Sequence, residues 1–359
     1  MNKPGEQRLP FEAPKPAFIL FIGSTRTSTI PGISIAGPTP EATLLTPTLD
    51  AEYLLAGKPL SMDVVPVSPE GVPTPAVVSR ALLGLLKIPA LVADSGSFLE
   101  PKIPHITLPS RRVGDRIDTG KALPPGTAAR LYEESRLLGR TMAVGIDVVV
   151  GESIPGGTTT AMAIMEALGF KARGRVSGAG PLNPHELKAR VYEEGVKASG
   201  IDVPARDPFK AVDAVGDPLH VSIAGFVAGA LEAGSRVILG GGTQMCSVLA
   251  ILSRLDVDLD GRVVLATTGW LARDESSDIE GLLSEVYPGV PLVVTPVDFS
   301  RSRFKGLRMY EEGYVKEGVG MGGLLAVARA LGITGEEVLR AVEAEYSRVT
   351  TGAAKTDST

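Results

Sequence analysis

The sequence predicts an α/β fold: a mostly parallel, Rossmann-like sheet covered by helices on both faces, with a small helical subdomain from chain-end segments. Three observations predict it. Short apolar runs rich in β-branched residues alternate with helical stretches, the pattern of parallel crossovers. Val144–Val150 reads as a central strand buried on both faces. Several runs end in loops of Gly, Ser, Thr or charge, where ligands bind in open α/β sheets.

The elements follow in order. Phe18–Ile22 is an apolar strand that runs into the polar loop Gly23–Gly37. Asp50–Ala56 and Pro75–Leu86 read as helices, and Ala90–Val92 as a short strand ending at Asp94–Ser97. Ala128–Leu138 is a helix leading to the central strand. Gly151–Gly157 is then a turn holding one acid, Glu152, and Thr158–Gly169 a helix with Ala161, Ile164, Met165 and Leu168 on one face. Asn183, Pro184 and Glu186 suggest a helix start with Asn183 as N-cap. Val221–Ala233 is a small-residue helix stopped by Gly234. Strand Arg236–Leu239, the loop Gly240–Thr243 and a helix to about Leu255 come next.

Strand Val263–Ala266 ends at Thr267–Trp270, and strand Leu292–Thr295 at Pro296–Lys305. Glu317–Gly323 opens the helix Leu324–Leu331, and Thr334–Glu337 caps a terminal helix to about Arg348. Residues 17–349 are expected to form a single domain, whose small helical subdomain takes residues 40–60 and 324–349. Residues 1–16 and 350–359 read as disordered tails.

Composition narrows the function. With 36 basic and 41 acidic residues the net charge is -5, against a general nucleic-acid binder. No apolar run reaches the ~18 residues of a membrane span, so a cytoplasmic protein is expected. The single cysteine, Cys246, excludes an intrachain disulfide and a thiolate-cluster metal site. His105, His185 and His220 lie far apart and read as structural, with no metal-binding partner at helical spacing. No cofactor and no metal are expected, and no nucleophile elbow is present.

The stretch Ala143–Gly169 carries the sharpest signal: a strand, a glycine loop and a helix N-terminus. Backbone N–H groups and the helix dipole there suit an anion, most often phosphate. It is not a P-loop, because Gly157 stands where that motif needs lysine. The plain alternative is a tight connection between packed elements. A carboxylate such as Glu152 beside an anion repels it unless it serves the ligand, by holding sugar hydroxyls or steadying a developing cation.

Four segments in order resemble the nicotinate-nucleotide–dimethylbenzimidazole phosphoribosyltransferase family: Gly151–Ala161, Val215–Gln244, Pro296–Leu307 and Lys316–Gly323. Ala93–Ser97 falls where that family has an Asp-His-Gly loop. The stretch from about Ile19 to Val349 is similar to the archaeal branch of the family. The resemblance implies transfer of ribose 5-phosphate from nicotinate mononucleotide to a benzimidazole-type base, for the lower ligand of a cobamide, by a homodimer. It implies Glu317 as catalytic base and Glu152 as the acid facing the ribose. It places Gly156, Gly157, Thr158 and Thr159 on the phosphate, with Ser300, Arg301, Ser302 and Lys305 closing over the same anion. Asp94, Ser95, Gly241, Gly242, Thr243, Gly318 and Gly320 fall in the remaining substrate loops. The sequence departs from the family at Ser95, where it has histidine, at Ile154 and Gly157, and at Gly240, where it has aspartate. The rival readings are a non-catalytic mononucleotide- or base-binding module and, more weakly, a P-loop-like hydrolase.

Overall fold

Seven parallel strands, in the order β3-β2-β1-β4-β5-β6-β7, form one sheet whose strand order reverses between β1 and β4. They are β1 (Ala17–Gly23), β2 (Ala90–Gly96), β3 (Ile106–Thr107), β4 (Val148–Ser153), β5 (Val237–Gly240), β6 (Val263–Thr268) and β7 (Leu292–Thr295). The computed structural model describes residues 9–11, 15–68, 70–178 and 180–353. The helices are α1 (Thr46–Ala56), α2 (Pro75–Leu86), α3 (Thr127–Met142), α4 (Gly157–Ala167), α5 (His185–Ser199), α6 (Pro208–Val215) and α7 (Pro218–Glu232). They continue with α8 (Gln244–Arg254), α9 (Gly269–Ala272), α10 (Ile279–Val286), α11 (Lys305–Arg308), α12 (Met321–Ala330) and α13 (Gly335–Ala353). No described helix is long and apolar enough to cross a membrane.

The two-residue period of the strands builds two cores. Ile19 and Phe21 of β1, with Val148 and Val150 of β4, face the core that α3 to α8 and α10 cover. Phe18, Leu20 and Ile22, with Val149, face the core of α1, α2, α12 and α13. The chain-end helices therefore share a core with the sheet. The terminal pair is tied further by Tyr53, whose hydroxyl donates to Glu345 at 2.6 Å.

Several expectations need correction. The central strand begins at Val148, not Val144, because Val144 and Ile146 lie exposed in the link from α3. It then runs on through Gly151, Glu152 and Ser153, which pair with Leu20, Phe21 and Ile22. β2 likewise continues to Gly96, beside β1. Asn183 caps no helix: its side chain donates to the Val176 carbonyl and accepts from Lys188, and α5 starts at His185 without a side-chain cap. α13 carries on past Arg348 to Ala353, so Thr350–Ala353 is helical rather than tail. Residues 1–8, 12–14 and 354–359 of the expected tails lie outside the described residues. The small-residue helix α7 is buried within its own chain, and so is α12. Cβ atoms on Gly225 and Gly229 would meet the Tyr132 and Arg136 carbonyls of α3.

Candidate active site

The carboxyl ends of β4, β5 and β6 meet beneath the segment that leads into α12. Close backbone approach makes this possible. A Cβ on Gly151 would lie 2.9 Å from the backbone of Gly320, and one on Gly240 would lie 2.9 Å from Gly323. Glycine at these points lets α12 enter against the strand ends.

Glu152 sits at the end of β4. Strand alternation gives it the same face as Val148 and Val150, toward α7 and α8. Its side chain is 2% exposed, and Oε1 accepts from Gln244 Nε2 at 2.9 Å. Burial pushes its carboxyl up to about 7, with the His220 imidazole pulling the other way and Asp217 and Asp50 adding to the rise. Ser153, one residue on, points to the opposite face and donates to Asp50 at 2.8 Å. Asp50 also accepts from Thr74 at 2.7 Å, and burial raises it to about 6.

Glu317 approaches from above β6. Oε2 accepts from Thr268 N at 3.1 Å and from the Thr267 hydroxyl at 3.4 Å. Oε1 accepts from Gly322 N at 3.0 Å, in the first turn of α12, and from Gly318 N at 3.2 Å. It therefore caps α12 as an ordinary N-terminal acid would. It differs from a surface cap in its setting. Burial lifts its carboxyl to about 7 against those three N–H bonds, and the nearby Glu152 lifts it further. Part of its surface remains open.

The backbone around Glu317 is strained. Val315 and Val319 have φ of 52° and 50°, a left-handed region that β-branched residues avoid. Val319 is held there by its N–H on the Glu152 carbonyl at 2.9 Å and by the Ser79 hydroxyl on its own carbonyl at 2.8 Å. The strained turn thus couples the two acids through the backbone.

The structure brings together most of the expected glycine loop. Gly156, with φ of 78°, is the N-cap residue of α4, and Gly157 and Thr159 lie in its first turn. Thr159 is fully buried and its hydroxyl finds no protein partner, whereas Thr158 is part-exposed. A Cβ on Gly157 would sit 2.0 Å from Gln244 Oε1, another buried atom without a partner. Gln244 thus spans from Glu152 to the glycine loop. Gly242 lies against Glu317, with 3.7 Å from its built Cβ to Glu317 Cβ, and Gly241 packs on Met245. Thr243 accepts from Ser177 N at 3.0 Å. Gly318 and Gly320 carry the positive φ values, 139° and 74°, that the turn into α12 requires.

Other expected residues are turned elsewhere. Ser302 donates to Glu343 of α13 at 2.7 Å, Arg301 is exposed and lies 3.8 Å from Glu336, and Ser300 N bonds Asp298. Lys305 opens α11. This loop faces α13, not the glycine loop. Asp94 is spent on structure: Arg111 Nε lies 2.6 Å from Oδ2, while Gly96 N and Ser97 N donate to Oδ1. Ser95 is buried beside it with its hydroxyl unpartnered.

Sequence reasoning missed Asp50, Gln244, Lys316 and the pair Asp217–His220. Asp217 stands three residues before His220, so the expectation that no histidine has an acidic partner at helical spacing is corrected. Asp217 is the N-cap of α7, accepting from Leu219 N and His220 N, and its second oxygen lies 2.5 Å from His220 Nδ1. Against burial, which opposes both charges, the pair keeps His220 above and Asp217 below their ordinary values. Lys316, beside Glu317, donates to Asp274 at 2.8 Å and to the Gly180 carbonyl at 3.1 Å. Lys188 donates to the Ser177 carbonyl and Asn183, and burial with Lys316 nearby lowers it to about 7. His185 bonds the Ser276 carbonyl, a structural role. Among the described residues no cluster of His, Cys, Asp or Glu is arranged to hold a metal. Cavities of about 290 Å³ (Thr295, Leu325, Val338) and about 400 Å³ (Tyr132, Leu231, Arg262) lie away from these acids.

A parallel sheet of this order, with a glycine loop at a helix start and two carboxyls raised to about 7 at the strand ends, defines an α/β protein with its candidate site at the carboxyl edge of the sheet. A phosphoribosyltransferase family model matches residues 86–268. The UPF0284 protein of Aeropyrum pernix is 55% identical over 95% of this chain and 94% of its own. That of Pyrococcus furiosus is 44% identical over 93% and 99%. The crystal structure of nicotinate-nucleotide-dimethylbenzimidazole phosphoribosyltransferase from Thermus thermophilus aligns over 94% of this chain and 83% of its own, with TM-score 0.61 and 17% identity. The crystal structure of CobT from the same organism aligns over 94% and 84%, with TM-score 0.62 and 18% identity. At that identity the likeness is one of fold. The chain belongs to the phosphoribosyltransferase family, and within it to the UPF0284 proteins.

Proposed function

We propose that this protein transfers ribose 5-phosphate from nicotinate mononucleotide to a benzimidazole-type base, releasing nicotinate and an α-ribazole 5′-phosphate for the lower ligand of a cobamide. The observation that carries the reading is the pair Glu152 and Glu317: two acids raised to about 7, facing a glycine loop across β4 to β6. The pyridinium of the donor is a neutralised leaving group once the C1′–N bond breaks, because the bond pair returns to the ring nitrogen. Departure therefore needs no acid. What the reaction needs is a base for the acceptor and a negative charge near C1′.

Glu317 supplies the base. One nitrogen of the acceptor forms the new bond to C1′, and its other nitrogen passes its proton to Glu317. A carboxyl near 7 takes that proton more readily than an ordinary one. Glu152 supplies the negative charge beside the ribose, where an oxocarbenium-like C1′ develops. The start of α4, with Gly156, Gly157 and Thr158, offers N–H and hydroxyl donors to the phosphate. The homodimer rests on the family resemblance.

The test is a release assay with purified protein, nicotinate mononucleotide, and a panel of benzimidazoles plus adenine, resolved by mass. The expected outcome is base-dependent α-ribotide with stoichiometric nicotinate. Binding of the nucleotide with no nicotinate released under any acceptor would make the protein a binding module instead.

A further inference from the structure

We propose that Gln244 is the positioning residue for Glu152: its side-chain amide, reaching across from α8, fixes how that carboxyl faces the ribose. The inference deepens the proposed reaction and rests on it.

The geometry starts from the place of Gln244 in the fold. It is the first residue of α8, directly after the loop Gly240–Thr243. The chain is held on both sides of it. Thr243 accepts from Ser177 N at 3.0 Å, and the Gln244 backbone carbonyl accepts from the Ser247 hydroxyl at 2.8 Å. The side chain therefore leaves from a fixed point toward β4. Nε2 donates to Glu152 Oε1 at 2.9 Å, the one side-chain hydrogen bond to that carboxyl among the described residues. The Ile154 backbone also donates to it.

The other end of the amide sets its direction. Oε1 is buried and has no hydrogen-bond partner. It lies over Gly157, where a Cβ would fall 2.0 Å from it and 2.6 Å from Ile154 Cγ2. The amide thus fills the space that a side chain at position 157 would take. Turned over, it would set its oxygen on the Glu152 oxygen and its NH2 group on hydrocarbon. Only one orientation gives the carboxyl a donor. A buried acceptor without a donor is unfavourable, and methionine, of similar length, would fill the same space without one. What sets glutamine apart from such an apolar filler is the bond to Glu152.

The proposed chemistry uses that bond. A negative charge steadies an oxocarbenium-like C1′ only when it is held close to it. Gln244 touches both Glu152 and Gly157, at the start of α4 where the phosphate is proposed to sit. It therefore sets the spacing between the carboxyl and the phosphate seat. Gln244 exchanges no proton; it works by holding Glu152 in place.

Two measurements test this. In the transfer assay, Gln244→Met keeps the bulk and removes the donor. We expect kcat to fall by about tenfold to a hundredfold, as for a catalytic group displaced by about 1 Å, with KM for nicotinate mononucleotide within about threefold. An unchanged kcat, or a loss that lies mainly in KM, would overturn the proposal. The second measurement needs no turnover. The chain has two glutamines and two asparagines, so the Gln244 NH2 pair is readily assigned in side-chain 15N spectra. We expect its shifts in the native protein to follow pH through about 7, where Glu152 gains its proton, and to stop doing so in Glu152→Met. No response in the native protein would also overturn the proposal. If the native protein transfers nothing with any base, the proposed reaction fails. The amide spectra still decide whether Gln244 holds the carboxyl, whether or not Gln244→Met folds.

Discussion

Carboxylates at the carboxyl ends of strands in one parallel sheet have opposite fates. Asp94, at the end of β2, is fully buried and surrounded by everything an anion needs: Arg111, two backbone N–H groups and the Ser97 hydroxyl. Glu317, above the end of β6, receives only neutral donors, and Glu152 at the end of β4 receives Gln244. The same sheet edge thus carries a satisfied acid and two poised ones. A carboxylate given its counter-ion is part of the scaffold. Carboxyls hydrogen-bonded only by neutral donors, and crowded by other acids, are raised toward the pH at which a proton can be exchanged. Serine stands at position 95 and the loop closes on Arg111.

The widest separation between the two regions should come from Glu317→Gln. Transfer should drop by about a thousandfold or more, the range for loss of a positioned general base. Affinity for nicotinate mononucleotide, measured by calorimetry, should stay within a few-fold. Retained turnover would put the poised acid on the same footing as the scaffold one. Arg111→Met tests the other side. It strands Asp94 in the interior and should cost about 3 kcal/mol of stability, the low end for breaking a buried pair because Arg111 is partly open to water. Urea unfolding measures it. Loss of activity without loss of stability would assign the Asp94 loop to the chemistry after all.

Asp50 sharpens the contrast by pH. Its carboxyl rises from 3.8 to about 6 on folding, so between those values the folded state binds more protons than the unfolded one. Stability from this group is therefore fully present below about pH 4 and is lost as pH rises toward about 6. Asp50→Asn removes the ionisation while keeping partners for Thr74 and Ser153. It should be more stable than the native protein at about pH 8, by roughly 1–3 kcal/mol, and equal to it at about pH 4. Because Asp50 also raises Glu152, the acid limb of transfer should move to lower pH in the same variant. A variant less stable at both pH values would show that Asp50 acts as a hydrogen-bond acceptor and not as a buried burden.

Much of this frame is legible in the sequence, and the misses share one cause. Pro75–Leu86 and Leu292–Thr295 match the elements residue for residue, because apolar period and flanking turn residues agree there. Hydropathy alone ends β2 and β4 too early at their carboxyl ends. It stops a strand at its first polar residue, yet Asp94 and Glu152 are strand residues buried by their neighbours. Glu152 and Glu317 stand out because each breaks a glycine-rich apolar stretch. Asp217 and His220 do not, although their spacing is plain in the sequence, because an Asp before Pro-Leu reads first as a helix cap. It is one. Only the folded structure shows the second oxygen of that carboxylate on His220 Nδ1. The contacts of Ser302 with α13 join residues 41 apart, a pairing that no local pattern announces.

Cys246 marks the lower bound of what burial alone does. It lies in α8 two residues beyond Gln244, fully buried, and burial pushes its thiol up to about 12. Glu152 and Glu317 are raised by the same force, but a carboxyl starts from 4.5 and arrives near neutrality. A thiol starts from 9.0 and moves out of range. The same desolvation that prepares the acids for proton exchange thus silences the cysteine as a nucleophile. Native protein should react with iodoacetamide at about pH 8 no faster than it unfolds, and full labelling should appear only in denaturing urea. Mass spectrometry over time measures both. Rapid labelling of folded protein would mean that the α8 side of the sheet opens to solvent, and the values near neutrality assigned to Glu152 through burial on that side would fall with it.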